Sequence, residues 1–317
     1  MSAIYTRAEI EALIRPTDVV SAMERAFVVY SQGRAVVPPV GRMEFEDPPG
    51  DCHIKYGYIR GDDTFTVKIA TGFWRNPERG LASSNGVVLV FSSQTGELLA
   101  SLYDEGFLTD IRTAAAGAVA AKYLAPSEIR CIGIVGAGIQ AHLQLEYLKT
   151  VTDCRKAMEW ARSPERARAF QVDSFEIQTA ASVRELLAES NLVVTTTPSP
   201  QFLIAAEDVR PCTHITAVGA DGGGKQELDP ELFARAAVRA VDSREQCALF
   251  GDSSYAIEKR LIEKEDLVEL GNIIEDTSLG RADDTQITIA DLTGVAVQDI
   301  EVAKLALRTQ TRARERS

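Results

Sequence analysis

Apolar positions along the chain recur with two different periods, and the change from one to the other outlines the architecture. The first residues read as helical. Thr6 and Glu9 have capping-box spacing, and Thr17 opens a second helix with Val20, Met23, Phe27 and Tyr30 on one face and Gly33 at its end. From about 38 to 103 the period shortens. Runs such as Val67-Lys68-Ile69-Ala70 and Gly86-Val87-Val88-Leu89-Val90-Phe91 are β-rich and bounded by Pro, Gly and Asp. Ser93-Gln94-Thr95-Gly96 between two such runs predicts a hairpin, so this sheet is at least partly antiparallel.

An alanine-rich helix follows from about Thr109 to Leu124, with little bulk at Ala114, Ala115, Ala116, Gly117 and Ala118, and Pro126 closes it. After Pro126 short apolar runs alternate with helical patterns: Cys131 to Val135, Ala157 to Trp160, Leu192 to Thr196, Ile215 to Val218 and Ala237 to Val241. That order predicts an α/β protein with a doubly wound parallel sheet. The last helical pattern, from about Val295 to Leu307, is expected to pack back on the first domain. The expected division is therefore 1–125 plus 296–317 for an N-terminal α+β domain completed by the C-terminal helix, and 126–295 for the parallel sheet.

Composition narrows the classes. A chain of 317 residues suggests about two domains, and its 45% apolar content is that of a globular protein. The net charge of −12 makes nucleic acid an improbable partner. No apolar run approaches the roughly 18 residues of a membrane span, and the N-terminus lacks signal-peptide features. Five scattered cysteines without a C-x-x-C, and three histidines, argue against a disulfide framework and against a metal site. A cytoplasmic location is the expectation.

The most informative motif is Ile132-Gly133-Ile134-Val135-Gly136-Ala137-Gly138-Ile139-Gln140-Ala141, an apolar strand running into G-x-G-x-x-A and a helix. Gly136 permits the tight turn, Gly138 lets the backbone approach a pyrophosphate, and the N–H groups of the helix start face the anion. A tight turn that binds nothing is the bland alternative. If the next strand ends at Trp160, its tip holds Ala161, Arg162 and Ser163, which suit a 2′-phosphate and favour NADP(H) over NAD(H). Glu159 is the rival for NAD if the strand ends earlier, although its place inside the run suggests a solvent-facing or paired role.

Candidate substrate groups stand out against the acidic background. Lys68 lies in an apolar strand, where it could simply face solvent. Arg112 lies at the start of the small-residue helix and could pair with Asp110 or Glu105. Arg42 could be a surface charge. Asp221 follows the strand ending at Ala220, at the carboxyl edge where α/β sheets bind ligands, and can serve as a proton carrier or merely as a turn or cap residue.

Together these residues resemble the ornithine cyclodeaminase/μ-crystallin family over nearly the whole chain. The resembling segments are Val67-Lys68, Leu108 to Ala116, Gly136 to Ala141, Val218-Gly219-Ala220-Asp221 with Lys225-Gln226-Glu227-Leu228, and Gly280-Arg281 with Thr293-Gly294-Val295. The resemblance implies a Rossmann-type NAD(P) domain, a substrate and dimerisation domain, and a homodimer. Arg42, Lys68 and Arg112 match positions that hold a substrate carboxylate, and Asp221 matches the general acid/base, with Lys68 its understudy. Thr113, Gly138, Ile139 and Gln140 match cofactor-phosphate contacts, and Gly294 lies in the loop beside the nicotinamide. Gly136, Ala161, Arg162, Ser163 and Val218 complete the expected cofactor set.

The implied chemistry is hydride transfer between the cofactor and the α-carbon of a small imino or ketimine acid, giving an L-amino acid. Cyclodeamination of ornithine to proline and ammonia is the alternative, and a non-catalytic ligand-binding protein is a third. Cyclodeaminases are expected to carry an acidic residue near the place held here by Lys55, where a cation would repel a diamino acid. The segments Lys225 to Pro230, Asp283 to Thr288 and Leu292 to Asp299 are closer to the imino-acid reductase branch. A reductase is the expected activity.

Overall fold

The structure, a computed structural model, describes residues 2–316 apart from Trp74 and Asp221. The chain forms two units. The first runs to Arg112 and resumes at Val295, and the second spans Thr113–Gly294. The division falls inside a helix rather than at Pro126.

The first unit opens with β1 (Ala3–Thr6), α1 (Arg7–Glu11) and α2 (Pro16–Ser31). Its further strands are β2 (Ala35–Val36), β3 (Gly41–Phe45), β4 (Gly50–Ile59), β5 (Thr64–Phe73), β6 (Ser84–Ser92) and β7 (Leu98–Tyr103). Among the described residues these make a seven-stranded sheet in the order β1-β7-β6-β5-β4-β2, with β3 on β4. β4 to β7 pair antiparallel, with the expected hairpin between β6 and β7. The start of the chain differs from expectation. It is a strand, because Ala3–Thr6 lies parallel against Ala100 to Tyr103. Glu9 does reach back to the Thr6 N–H, at 2.8 Å. The second helix starts one residue earlier than expected. Arg15 is its N-cap and Pro16, with φ pre-set and no N–H to lose, takes the first position instead of Thr17. At its end Gly33 has a φ of +67°, its N–H bonds Tyr30 O, and Arg34 N–H bonds Val29 O. That Schellman arrangement suits a residue with no Cβ.

α3 (Phe107–Leu124) crosses the division between the units. The second unit then alternates β8 (Ile132–Val135), α4 (Ile139–Leu148), β9 (Lys156–Trp160), α5 (Pro164–Ala169), β10 (Glu176–Thr179), α6 (Val183–Glu189), β11 (Leu192–Thr195) and β12 (Thr213–Ala217). It continues with α7 (Pro230–Arg235), β13 (Val238–Val241), α8 (Arg244–Phe250), α9 (Asp252–Glu258), β14 (Val268–Glu269), α10 (Leu270–Glu275) and β15 (Ile287–Asp291). The eight strands are parallel in the order β10-β9-β8-β11-β12-β15-β13-β14. β8, β11, β12 and β15 are buried along their whole length, as strands covered on both faces must be. β10, β14 and above all the central β15 go beyond the expected strands. The small residues of α3 serve close packing: a Cβ at Gly117 would stand 2.1 Å from Gln144 Oε1 of α4.

α11 (Ala296–Arg316) belongs to the first unit, where it packs on α2, β4 and β5 and buries Val297, Ile300 and Ala303. The opposite face of that sheet carries exposed Ile4, Tyr56, Tyr58, Leu99 and Tyr103. Among the described residues no helix is long and apolar enough to cross a membrane.

Candidate functional site

Two groups of the expected residues come together, one in each unit. In the first, Lys68 of β5 points to the helix-covered face of the sheet, in one row with Lys55 and the buried Val88 and Leu102. It is only 3% exposed, so it is not an outward-facing surface lysine. Its Nζ lies 2.8 Å from Asp299 Oδ1 and donates to Thr109 Oγ1 at 3.3 Å. Arg112, on the second turn of α3, donates Nε to the same Asp299 oxygen at 3.2 Å and Nη1 to Gln298 Oε1 at 3.0 Å. Arg112 thus pairs with the C-terminal helix and not with Asp110 or Glu105. Burial is the largest effect on the Lys68 ammonium and pulls it down to about 8. Asp299 opposes that shift, while Arg112 and Lys55 add to it. Burial would push the Asp299 carboxyl up, but Lys68, Arg112 and Lys55 hold it below the ordinary carboxylate range. One buried carboxylate oxygen therefore gathers two cations, and Asp299 Oδ2 has no hydrogen-bond partner among the described residues. The described contacts leave donors of the Arg112 fork and one ammonium proton of Lys68 available to an anion.

In the second unit the strand-to-helix turn after β8 opens onto a cavity of about 530 Å³. Its lining includes Gly136, Gly138, the tip residues Ala161, Arg162 and Ser163, Arg166, and Thr196 to Ser199 from the loop after β11. Gly136 has a φ of +123°, and an added Cβ would lie 2.4 Å from Thr196 Oγ1, so the turn admits no side chain. A Cβ at Gly138, by contrast, would meet nothing within 4 Å. Gly138 is the N-cap of α4, and the space beside it is the cradle that a phosphate would fill. Ile139 is exposed on the first turn and Gln140 follows it. The residues present fit the ribose and phosphate half of a dinucleotide. Glu159 does not line this cavity. It is inside β9, fully buried, with neither carboxylate oxygen hydrogen-bonded among the described residues, and burial raises it to about 7. The expected solvent-facing or paired role does not hold.

The remaining expected residues are dispersed. Arg42 of β3 is half exposed and ion-paired with Glu44 at 2.9 Å, on the sheet face that carries Lys55 and Lys68 but two rungs along. Its described partner is a surface glutamate, not the Lys68 cluster. Thr113 offers its carbonyl to Gln144 Nε2 at 3.2 Å, and Val218 is buried with its N–H on Thr195 O. Gly294 donates its N–H to Asp242 Oδ2 at 2.6 Å. Asp221 lies outside the described residues.

Comparison with known proteins decides the family. The ornithine cyclodeaminase/mu-crystallin family profile matches residues 1–313. The chain belongs to that family. An uncharacterized cyclodeaminase of Sinorhizobium fredii is 41% identical over 99% of this chain and 96% of its own length. An archaeal alanine dehydrogenase, solved as a dimer with bound NAD, superposes with a TM-score of 0.90 at 34% identity, covering 99% of this chain and 97% of that one. The Δ1-pyrroline-2-carboxylate reductase of Thermococcus litoralis, solved with NADH and L-proline, gives 0.91 at 30% identity, covering 98% of each. The relatives of this family member are nicotinamide-dependent oxidoreductases and cyclodeaminases.

Asp299 and Gln298, the partners of Lys68 and Arg112, are residues that the sequence pattern did not single out. A signal was present: Asp299 interrupts the apolar stripe of Ala296, Val297, Ile300 and Ala303, and a carboxylate on a core face implies a buried cation. Arg166 and the Thr196 to Ser199 loop were silent, because only the fold brings them beside the glycine turn.

Proposed function

We propose that this chain is an NAD(P)H-dependent reductase that converts a small imino or ketimine acid into an L-amino acid, acting as a homodimer and favouring NADP(H) over NAD(H). The observation that carries the reading is the convergence of Lys68 and Arg112 on a single carboxylate oxygen inside the first unit. A cation pair buried at that density is suited to an α-carboxylate, which it would orient through its remaining donors. A bound nicotinamide would supply the hydride. Gly136, Gly138, Ile139 and Gln140 would hold its phosphates, with Thr113, Val218 and Gly294 as further contacts. Ala161, Arg162 and Ser163 would receive a 2′-phosphate, and the presence of Arg162 and Arg166 in the cavity wall supports that preference.

Asp221 is proposed as the general acid/base on nitrogen or water, and Arg42 as an additional carboxylate ligand. The first unit would be the substrate and dimerisation domain and the second the cofactor domain. Exposed Ile4, Tyr56, Tyr58, Leu99 and Tyr103 give the first unit an apolar face of the kind a second copy would cover. Lys55 stands directly opposite Lys68 in the sheet, which favours an anionic substrate over a diamino acid.

The test is oxidation of NADPH and NADH with cyclic ketimines, iminosuccinate, or pyruvate plus ammonia, run beside ornithine with NAD⁺. Turnover of an imine with NADPH supports the reading. Proline and ammonia from ornithine as the main activity would replace it with cyclodeamination. Tight dinucleotide binding without any turnover would leave a binding protein.

A further inference from the structure

Glu227 lies in the segment between β12 and α7 and is completely buried. Its carboxylate accepts four hydrogen bonds. Oε1 takes Thr197 N–H at 2.6 Å and the Thr197 hydroxyl at 2.8 Å, and Oε2 takes the Thr195 hydroxyl at 2.7 Å and Gly219 N–H at 2.8 Å. The residue's own backbone is held as well. Its N–H donates to Asp252 Oδ1 at 2.7 Å, and its carbonyl accepts from Leu203 and Ile204. Thr197 and Leu203 line the cavity beside the glycine turn. Gly219 lies in the loop after β12 and touches the first loop directly: a Cβ there would lie 2.1 Å from Thr197 O and 2.6 Å from Glu227 Cδ.

We propose that Glu227 is a positioning residue that clamps the loop after β11 to the loop after β12, so that the dinucleotide cavity and the segment leading to Asp221 are set as one piece. Each oxygen faces a backbone N–H that cannot turn away. The site is therefore built for an acceptor-only carboxylate, even though burial pushes the Glu227 carboxyl above the ordinary carboxylate range. An amide cannot substitute. Whichever way a glutamine sits, its NH₂ confronts either Thr197 N–H or Gly219 N–H, and one loop must be released. The functional consequence rests on the dinucleotide reading above, but the clamp itself does not.

The experiment compares the full-length protein with Glu227→Gln by amide hydrogen exchange and by calorimetric titration with NADPH and NADH. In the variant the Thr197 or Gly219 amide should exchange at least about tenfold faster while the β8 and β9 amides stay protected, and the dinucleotide dissociation constant should rise at least about tenfold. Thr197→Val, which keeps the N–H and loses only the hydroxyl, should weaken binding less, and it stands in if the glutamine variant does not fold. Unchanged protection of both amides together with unchanged dinucleotide affinity would overturn the clamp. A wild-type protein that binds neither dinucleotide would overturn the proposed function instead, and the exchange data would still judge Glu227.

Discussion

Lys68 and Asp299 are 231 positions apart in the chain, yet their ammonium and carboxylate meet at 2.8 Å with both side chains about 4% exposed. The link ties a central strand of the first sheet to the C-terminal helix, and Arg112 joins it from α3. Such a triad is costly to desolvate and costly to break, because removing one member strands the others in the core.

Asp299→Asn should therefore destabilise the protein by about 3 kcal/mol, read as a lower urea midpoint at unchanged slope. The same change removes the attraction that opposes the downward shift of Lys68, so the alkaline limb of the pH–rate profile should move to lower pH. A variant with unaltered midpoint and profile would mean that the triad is neither structural nor electrostatically coupled.

Anion binding should follow the charge of Lys68. The ammonium is present below about pH 8 and is lost as pH rises through that value, so affinity for a carboxylate inhibitor should be level below pH 7 and fall above pH 8. An unburied lysine would stay charged to about pH 10.4. The stability sign is the reverse. Between about 8 and 10.5 the unfolded chain binds one proton more than the native one, so this group makes stability rise with pH. Lys68→Arg should remove the midpoint from the binding curve, and a curve unchanged by that substitution would assign the titration to another group.

The glycine turn offers a clean contrast. Gly138→Ala adds a methyl to open space and should leave thermal stability intact while weakening dinucleotide binding. Gly136→Ala must hold a φ of +123° and press on Thr196 Oγ1, at a cost of about 1–3 kcal/mol. Equal effects of the two on stability would contradict the geometry.

Arg162→Ala should lower NADPH affinity about tenfold, the loss of one charge-assisted contact of about 1.5 kcal/mol, and leave NADH affinity unchanged. Parallel titrations decide it. Equal losses for both dinucleotides would mean that Arg162 supports the cavity without reading the 2′ position.

Local chemistry was legible in advance wherever neighbours in sequence are neighbours in space. Gly136 to Ala141 form the turn that their spacing predicts, Gly33 ends α2, and the strand tip Ala161-Arg162-Ser163 lines the cavity. The central strand Ile287–Asp291 was not legible. It inserts between β12 and β13 although β13 precedes it in the chain, and no pattern over five residues specifies which gap in a sheet a strand will enter. The opening strand Ala3–Thr6 escaped for the same reason, since its partner β7 is remote.

The sequence by itself determined the period of most segments, the glycine turn and the family, because these depend on side-chain size and on backbone freedom within one turn or strand. Only the tertiary structure decided that Lys68 faces inward, that Arg112 pairs with Asp299 rather than with Asp110 or Glu105, and that Glu227 joins two loops. A buried charge takes its partner from whatever the packing of strands and helices brings within about 3 Å, and that distance carries no trace in the linear order of residues.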